Sequence, residues 1–178
     1  MGGSVNIELC LEFDSSFGEP LCEISVDRDV LYDGPAQQQL VLDWPEQVGK
    51  HMFTVRHYGK GMNDFDHQHD RHITIVRLRF DGIDLDQIHY RPLTHRAKFY
   101  PEYYPDYVIS CQANGTELPE YLCPNHYLGH NGSWVLAFES PIMDWIIREQ
   151  QPSGINLEDT IFSTGQETLN MIKDFFKL

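Results

Sequence analysis

The 178-residue sequence predicts a mainly β protein: an antiparallel β-sandwich, jelly-roll-like, with long loops and one or two short C-terminal helices. Three observations predict it. Apolar and polar residues alternate with period two in several short runs. Clusters of Gly, Pro, Asn, Asp and Ser punctuate those runs. Helix signals gather only after residue 139. With 41% hydrophobic and 22% charged residues, the chain has the make-up of one globular domain. Residues 1–139 are expected to form the sandwich core, with long loops near 59–72, 89–106 and 115–132. Residues 140–178 read as a helical extension packing on that core or on a neighbouring subunit.

The first strand is VNIELCLEF, where Val5, Ile7, Leu9 and Leu11 alternate with Asn6, Glu8, Cys10 and Glu12. DSSFGEP reads as a turn and LCEISV as a second strand. Asp33-Gly34-Pro35 marks another turn or chain crossing. QQQLVLDW is a third strand. In KHMFTVRHYG, His51, Phe53, Val55 and His57 share one face. RHITIVRLRF is the strongest strand, rich in β-branched residues. Strict alternation puts Ile73, Ile75, Arg77 and Arg79 on one side of it and Thr74, Val76, Leu78 and Phe80 on the other. Residues 59–72 would then be the tip of a hairpin.

After Asp81-Gly82 comes a short extended piece. The Pro- and Tyr-rich stretch that follows reads as an irregular excursion held down by its rings. YVISCQANG resembles a strand ending at the turn pair Asn114-Gly115. A second irregular loop leads into SWVLAFE, where Trp134, Leu136 and Phe138 alternate against Val135, Ala137 and Glu139. Ser140 is placed to cap a helix and Pro141 to start it. Thr164 and Glu167 form a capping-box pair ahead of a final helix. Its stripe, Leu169, Ile172, Phe175 and Phe176, would dock on the core or on a neighbour.

The formal net charge of -14 disfavours nucleic acid and anionic membranes as partners. No segment reads as a secretory signal or a transmembrane span. Cys10, Cys22, Cys111 and Cys123 lack a compact zinc rhythm. Free buried thiols are the default reading, with a Cys111–Cys123 disulfide as the alternative.

The run NDFDHQHDRH, residues 63–72, is the most unusual in the chain. His67, His69, Asp70 and Asp66 are candidate metal ligands, because imidazoles suit zinc and carboxylates suit calcium. A solvated loop is the plain alternative. The fixed order of an EF-hand and of an HExxH helix are both missing. No nucleophile elbow or phosphate loop occurs, no catalytic residue is assigned, and no cofactor is expected, a calcium or zinc ion in the 64–72 loop being the alternative.

Tyr100, Tyr103, Tyr104 and Tyr107 in one loop, and Tyr121, Asn125, His126, Tyr127 and His130 in the other, suit a wet, semi-apolar contact surface. Sugar faces stack on such rings, and protein interfaces favour them too. Packing the loops onto their own core is a third use.

Five motifs together resemble a class of small β-sandwich proteins of tailed bacteriophages of marine and cyanobacterial hosts. They are His57–Lys60, Asn63 with Asp64, Ile73–Ile83, Gly132–Trp134 and Pro141–Trp145. They span about half to two thirds of the chain, and the His-rich loop departs from them. The resemblance implies a carbohydrate-binding-like virion or adsorption component with no catalytic residues. The expected function is a non-enzymatic structural or interaction module of a virion: tail, neck, baseplate or capsid accessory. It would assemble in the host cytoplasm with other virion proteins or copies of itself. The alternative is a carbohydrate-binding module that contributes to attachment on a host glycan.

Overall fold

The computed structural model describes residues 3–66, 68–87, 92–103, 109, 112–115 and 126–150. Ten strands and one α-helix are defined among them: β1 Ser4–Phe13, β2 Leu21–Val26, β3 Asp29–Pro35, β4 Gln39–Pro45, β5 Gly49–Tyr58, β6 Ile73–Phe80, β7 Ile83–Asp84, β8 Lys98–Pro101, β9 Tyr127–Leu128, β10 Gly132–Ser140 and α1 Ile142–Glu149. They form two sheets. The first runs β4-β1-β6-β7, with β9 also paired to β6; the second runs β3-β2-β5-β10-β8. Every ladder is antiparallel.

The period-two residues meet between the sheets. Val5, Ile7, Leu9 and Leu11 face Ile24, Phe53, Val55, Trp134 and Leu136, all buried. Phe53 of the second sheet sets its ring edge-on to Phe80 of the first, at 5.8 Å. Each such side chain contributes roughly 1.5–3 kcal/mol on leaving water. The sheets are therefore held together by burial rather than by backbone bonds.

Several expectations are corrected. Residues 59–72 are not a hairpin tip. Strand β5 already has β2 on one edge and β10 on the other, so β6 cannot pair with it and joins β1 instead. The loop therefore crosses from one sheet to the other. Strict alternation also fails in β6, because Leu11 faces Ile75 while Cys10 faces Arg77. Val76 is the extra residue of a β-bulge, and it moves Leu78 and Phe80 onto the same buried face as Ile73 and Ile75.

Asp33-Gly34-Pro35 is not a turn but the end of β3, whose hairpin turns at Asp27 and Arg28 with Asp27 at φ 53°. Part of the aromatic excursion is strand β8, drawn into the sheet by buried Phe99 beside Trp134. Where a strand was expected at YVISCQANG, the described residues Ile109 and 112–114 are helical. Gly115 has φ 67°, a conformation that ends helices as well as hairpins, so Asn-Gly reads both ways.

Ser140 is the last residue of β10 rather than a cap, and its hydroxyl donates to Glu46 Oε1 at 2.5 Å. Pro141 takes the N-cap position of α1, after a cis peptide bond. The helix packs on the core through Ile142, Trp145 and Ile146, with Trp145 edge-on to Phe138 at 6.1 Å. Leu169, Ile172, Phe175 and Phe176 lie outside the described residues, as do Cys111 and Cys123. Cys10 and Cys22 are free, and burial pushes the Cys22 thiol up to about 12. No helix among the described residues is long and apolar enough to cross a membrane.

Candidate functional site: a groove at one end of the sandwich

A groove of about 850 Å³ opens where the 59–72 crossing meets the ends of β8 and β9 and the turn before β10. Lys60, Met62, Asn63, Phe65, Asp66 and Asp70 line it from the crossing. Glu102 and Tyr103 line it from the residues after β8, and Tyr127, Gly129, His130 and Asn131 from the β9–β10 region. Phe65, Tyr103 and Tyr127 are exposed residues, at 60%, 40% and 41%, and all three line the groove.

The polar groups of the crossing close on each other. Asp64 Oδ2 accepts from the Gly61 amide at 2.8 Å and from Arg71 Nη1 at 2.9 Å. Arg71 also donates to the Gly59 and Glu19 carbonyls. Asp66 Oδ1 accepts from the amides of Gln68 and His69 at 2.7 and 2.8 Å. These amide bonds favour the ionised form, and they hold the Asp66 carboxyl below the usual carboxylate range.

The Lys60 side chain is only 9% exposed, and its ammonium donates to Asp70 Oδ1 and, at 2.5 Å, to the Gly129 carbonyl. The Tyr127 hydroxyl donates to the other Asp70 oxygen at 2.5 Å. Burial acts to raise the Asp70 carboxyl, but the bonds from Lys60 and Tyr127 outweigh it and the pKa is lowered. Burial first, and then the bond to Asp70, push the Tyr127 phenol up to about 12. The Asn131 side chain ties the two walls together. It accepts from the Lys60 amide at 2.9 Å and donates to the Lys60 carbonyl at 3.0 Å. The Asn131 carbonyl accepts from the Glu102 amide at 2.8 Å. Glu102 Oε1 in turn accepts from Arg56 at 3.1 Å.

The metal candidates are spread over different partners. His69 Nδ1 faces Ser16 Oγ at 3.0 Å and Asp14 Oδ2 at 3.3 Å, while Asp70 pairs with Lys60. Asp66 serves backbone amides. His67 lies outside the described residues. Among the described residues, no group of three His, Cys, Asp or Glu side chains is placed to hold a metal ion.

Of the expected contact residues, the groove collects Tyr103, Tyr127 and His130. Tyr100 is exposed on β8 but does not line it. His126 turns to the core, edge-on to Trp134 at 6.1 Å, and burial lowers its pKa. Tyr104, Tyr107, Tyr121 and Asn125 lie outside the described residues. Sequence reasoning missed Met62, Phe65, Lys60, Glu102 and Asn131 as parts of one site. Phe65 alone carried a usable signal, a large ring within an otherwise polar run.

Fold and groove define a two-sheet antiparallel β-sandwich with an open groove lined by aromatic rings, carboxylates and amides. No protein-family model matches the chain, and no curated protein matches it. Among solved structures it is similar to one described as vCBM60 in complex with galactobiose. The TM-score is 0.41 and the identity 8%, covering 75% of this chain and 97% of that one. No residue role follows from a likeness at that level.

Proposed function

We propose that this protein is a non-enzymatic carbohydrate-binding module that takes a glycan segment in the groove between Phe65, Tyr103 and Tyr127. The carrying observation is the combination of three exposed aromatic residues with carboxylates and amides around one concave volume. The C–H face of a pyranose packs on an aromatic ring much as an aliphatic side chain does. Its hydroxyls donate to carboxylates and exchange hydrogen bonds with amides, and Asp66, Asp70, Glu102, Asn63 and Asn131 supply both kinds of group. The hydrogen-bonded crossing lowers the ordering cost of binding. A role in host attachment by a tailed-phage particle is supported by the sequence resemblance.

Affinity electrophoresis of the full chain through gels containing neutral polysaccharides tests the proposal. Retardation that is lost in Tyr127→Ala supports it. Unretarded migration in every gel would count against it.

A second reading, a protein-interaction module of a virion, is favoured by Val30 on edge strand β3 and Val41 on edge strand β4. Both are more than half exposed. Exposed apolar side chains on strands that are edges among the described residues suit pairing with another chain. A stable oligomer in native mass measurement, together with failure of every glycan to bind, would favour this reading over the first.

A further inference from the structure

The charge around the groove bears on the class of glycan it would take, an inference that rests on the carbohydrate reading above. The lining carries three carboxylates, Asp66, Asp70 and Glu102; Lys60 pairs with Asp70 and Arg56 with Glu102, so three negative charges stand against two positive and the groove stays net negative. The Lys60 ammonium is sequestered, held by Asp70 and the Gly129 carbonyl with its side chain only 9% exposed. The nearest guanidinium groups are engaged as well. Arg56 is bound to Glu102, and Arg71 is closed on Asp64 and two backbone carbonyls. Asp66 and Asp70 are both held below the usual carboxylate range, so they stay charged at neutral pH. A ligand carboxylate or sulfate would enter beside fixed negative charge, on a chain whose formal net charge is -14. Neutral hydroxyls meet acceptors instead.

We propose that the groove takes neutral glycan segments and excludes uronate-bearing and sulfated ones, with Asp66, Asp70 and Glu102 as the specificity-determining residues. Glu102 is the residue through which this selection is most readily altered. Its side chain is half exposed, and neutralising it removes one repelling charge while freeing Arg56.

The test uses the full chain in gels containing glucan, mannan or galactan, each as the neutral polymer and after graded oxidation of its C6 hydroxyls to carboxylates. Retention is expected to fall about tenfold on oxidation, to recover at higher salt, and to return when the new carboxylates are methyl-esterified. Glu102→Gln is expected to retain the oxidised polymer more strongly than the parent does. Equal retention of neutral and oxidised forms overturns the inference, as does a loss that methyl-esterification leaves in place. Retention of only the oxidised forms removes this inference and leaves the carbohydrate reading standing. Failure to retain any polymer, charged or neutral, removes that reading and this inference together.

Discussion

The hydroxyl of Tyr127 reaches Asp70 Oδ2 at 2.5 Å across 57 residues of chain, and that bond fixes the ring at the groove wall. His72 backs the same ring at a centroid distance of 4.7 Å. Tyr127 thus presents an oriented face rather than a mobile side chain. Tyr127→Phe keeps the ring and loses the bond, so glycan affinity should drop only a few-fold. Tyr127→Ala removes the stacking surface and should cost about 1–2 kcal/mol, roughly tenfold in Kd. Titration calorimetry with a retained oligosaccharide measures both, and equal losses in the two variants would contradict the stacking role.

The Lys60–Asp70 pair makes the fold sensitive to acid. The folded carboxyl of Asp70 titrates below its ordinary value of 3.8. Its contribution to stability is therefore complete above that value and is lost as pH falls through the lower folded value. In Asp70→Asn this part of the acid limb should flatten, while stability at neutral pH falls by about 1–3 kcal/mol because the buried Lys60 ammonium loses its charged partner and keeps only the Gly129 carbonyl. Urea denaturation at a series of pH values reads both effects. An unchanged acid limb would show that other carboxylates dominate it.

His57 acts in a higher pH window. It is fully buried in β5, with Nδ1 at 3.2 Å from the His130 carbonyl and no partner for Nε2 among the described residues. Burial lowers its pKa below 6.5, and Lys60 and Arg71 push in the same direction. The unfolded chain therefore takes up a proton first as pH falls. Stability should decline from about pH 6.5 down through the lower folded value and level off below it. His57→Leu should reduce that slope in thermal melts between pH 7 and 5, leaving the share of His126, whose pKa burial also lowers. An undiminished slope in the variant would assign it to another group.

Gly132 is set by a close approach. A Cβ there would stand 2.6 Å from Pro101 Cα and 2.6 Å from the Tyr100 carbonyl oxygen, both backbone atoms of β8. Backbone cannot swing aside as a side chain can, so Gly132→Ala must push β8 off β10. We expect a loss of about 1–3 kcal/mol in stability. Glu102 and Tyr103 directly follow Pro101, so glycan binding should weaken beyond what instability explains. Binding that is unaffected in the folded fraction would separate β8 from the groove.

Much of the architecture was legible in the residues. Val5, Ile7, Leu9 and Leu11, and again Trp134, Leu136 and Phe138, alternate cleanly because each lies on a sheet with one buried face. Ile142, Trp145 and Ile146 mark the face of α1 that packs on the core. Where alternation breaks, the reading broke with it. The bulge at Val76 inserts one residue, and no local signal separates a bulged strand from a regular one. Likewise, Phe99 looked like loop filling until its pairing with Trp134 made it strand.

The sequence by itself determined a mainly β sandwich with a polar, His- and Asp-rich connection and Tyr-rich loops, because period and turn chemistry are local properties. Only the tertiary structure decided that this connection crosses between sheets, since that depends on which strand edges are already occupied. It also decided that Lys60, Asp70, Glu102, Tyr103 and Tyr127 face one groove. Their meeting is set by β8, β9 and β10 ending at the same end of the sandwich, which spacing along the chain does not encode.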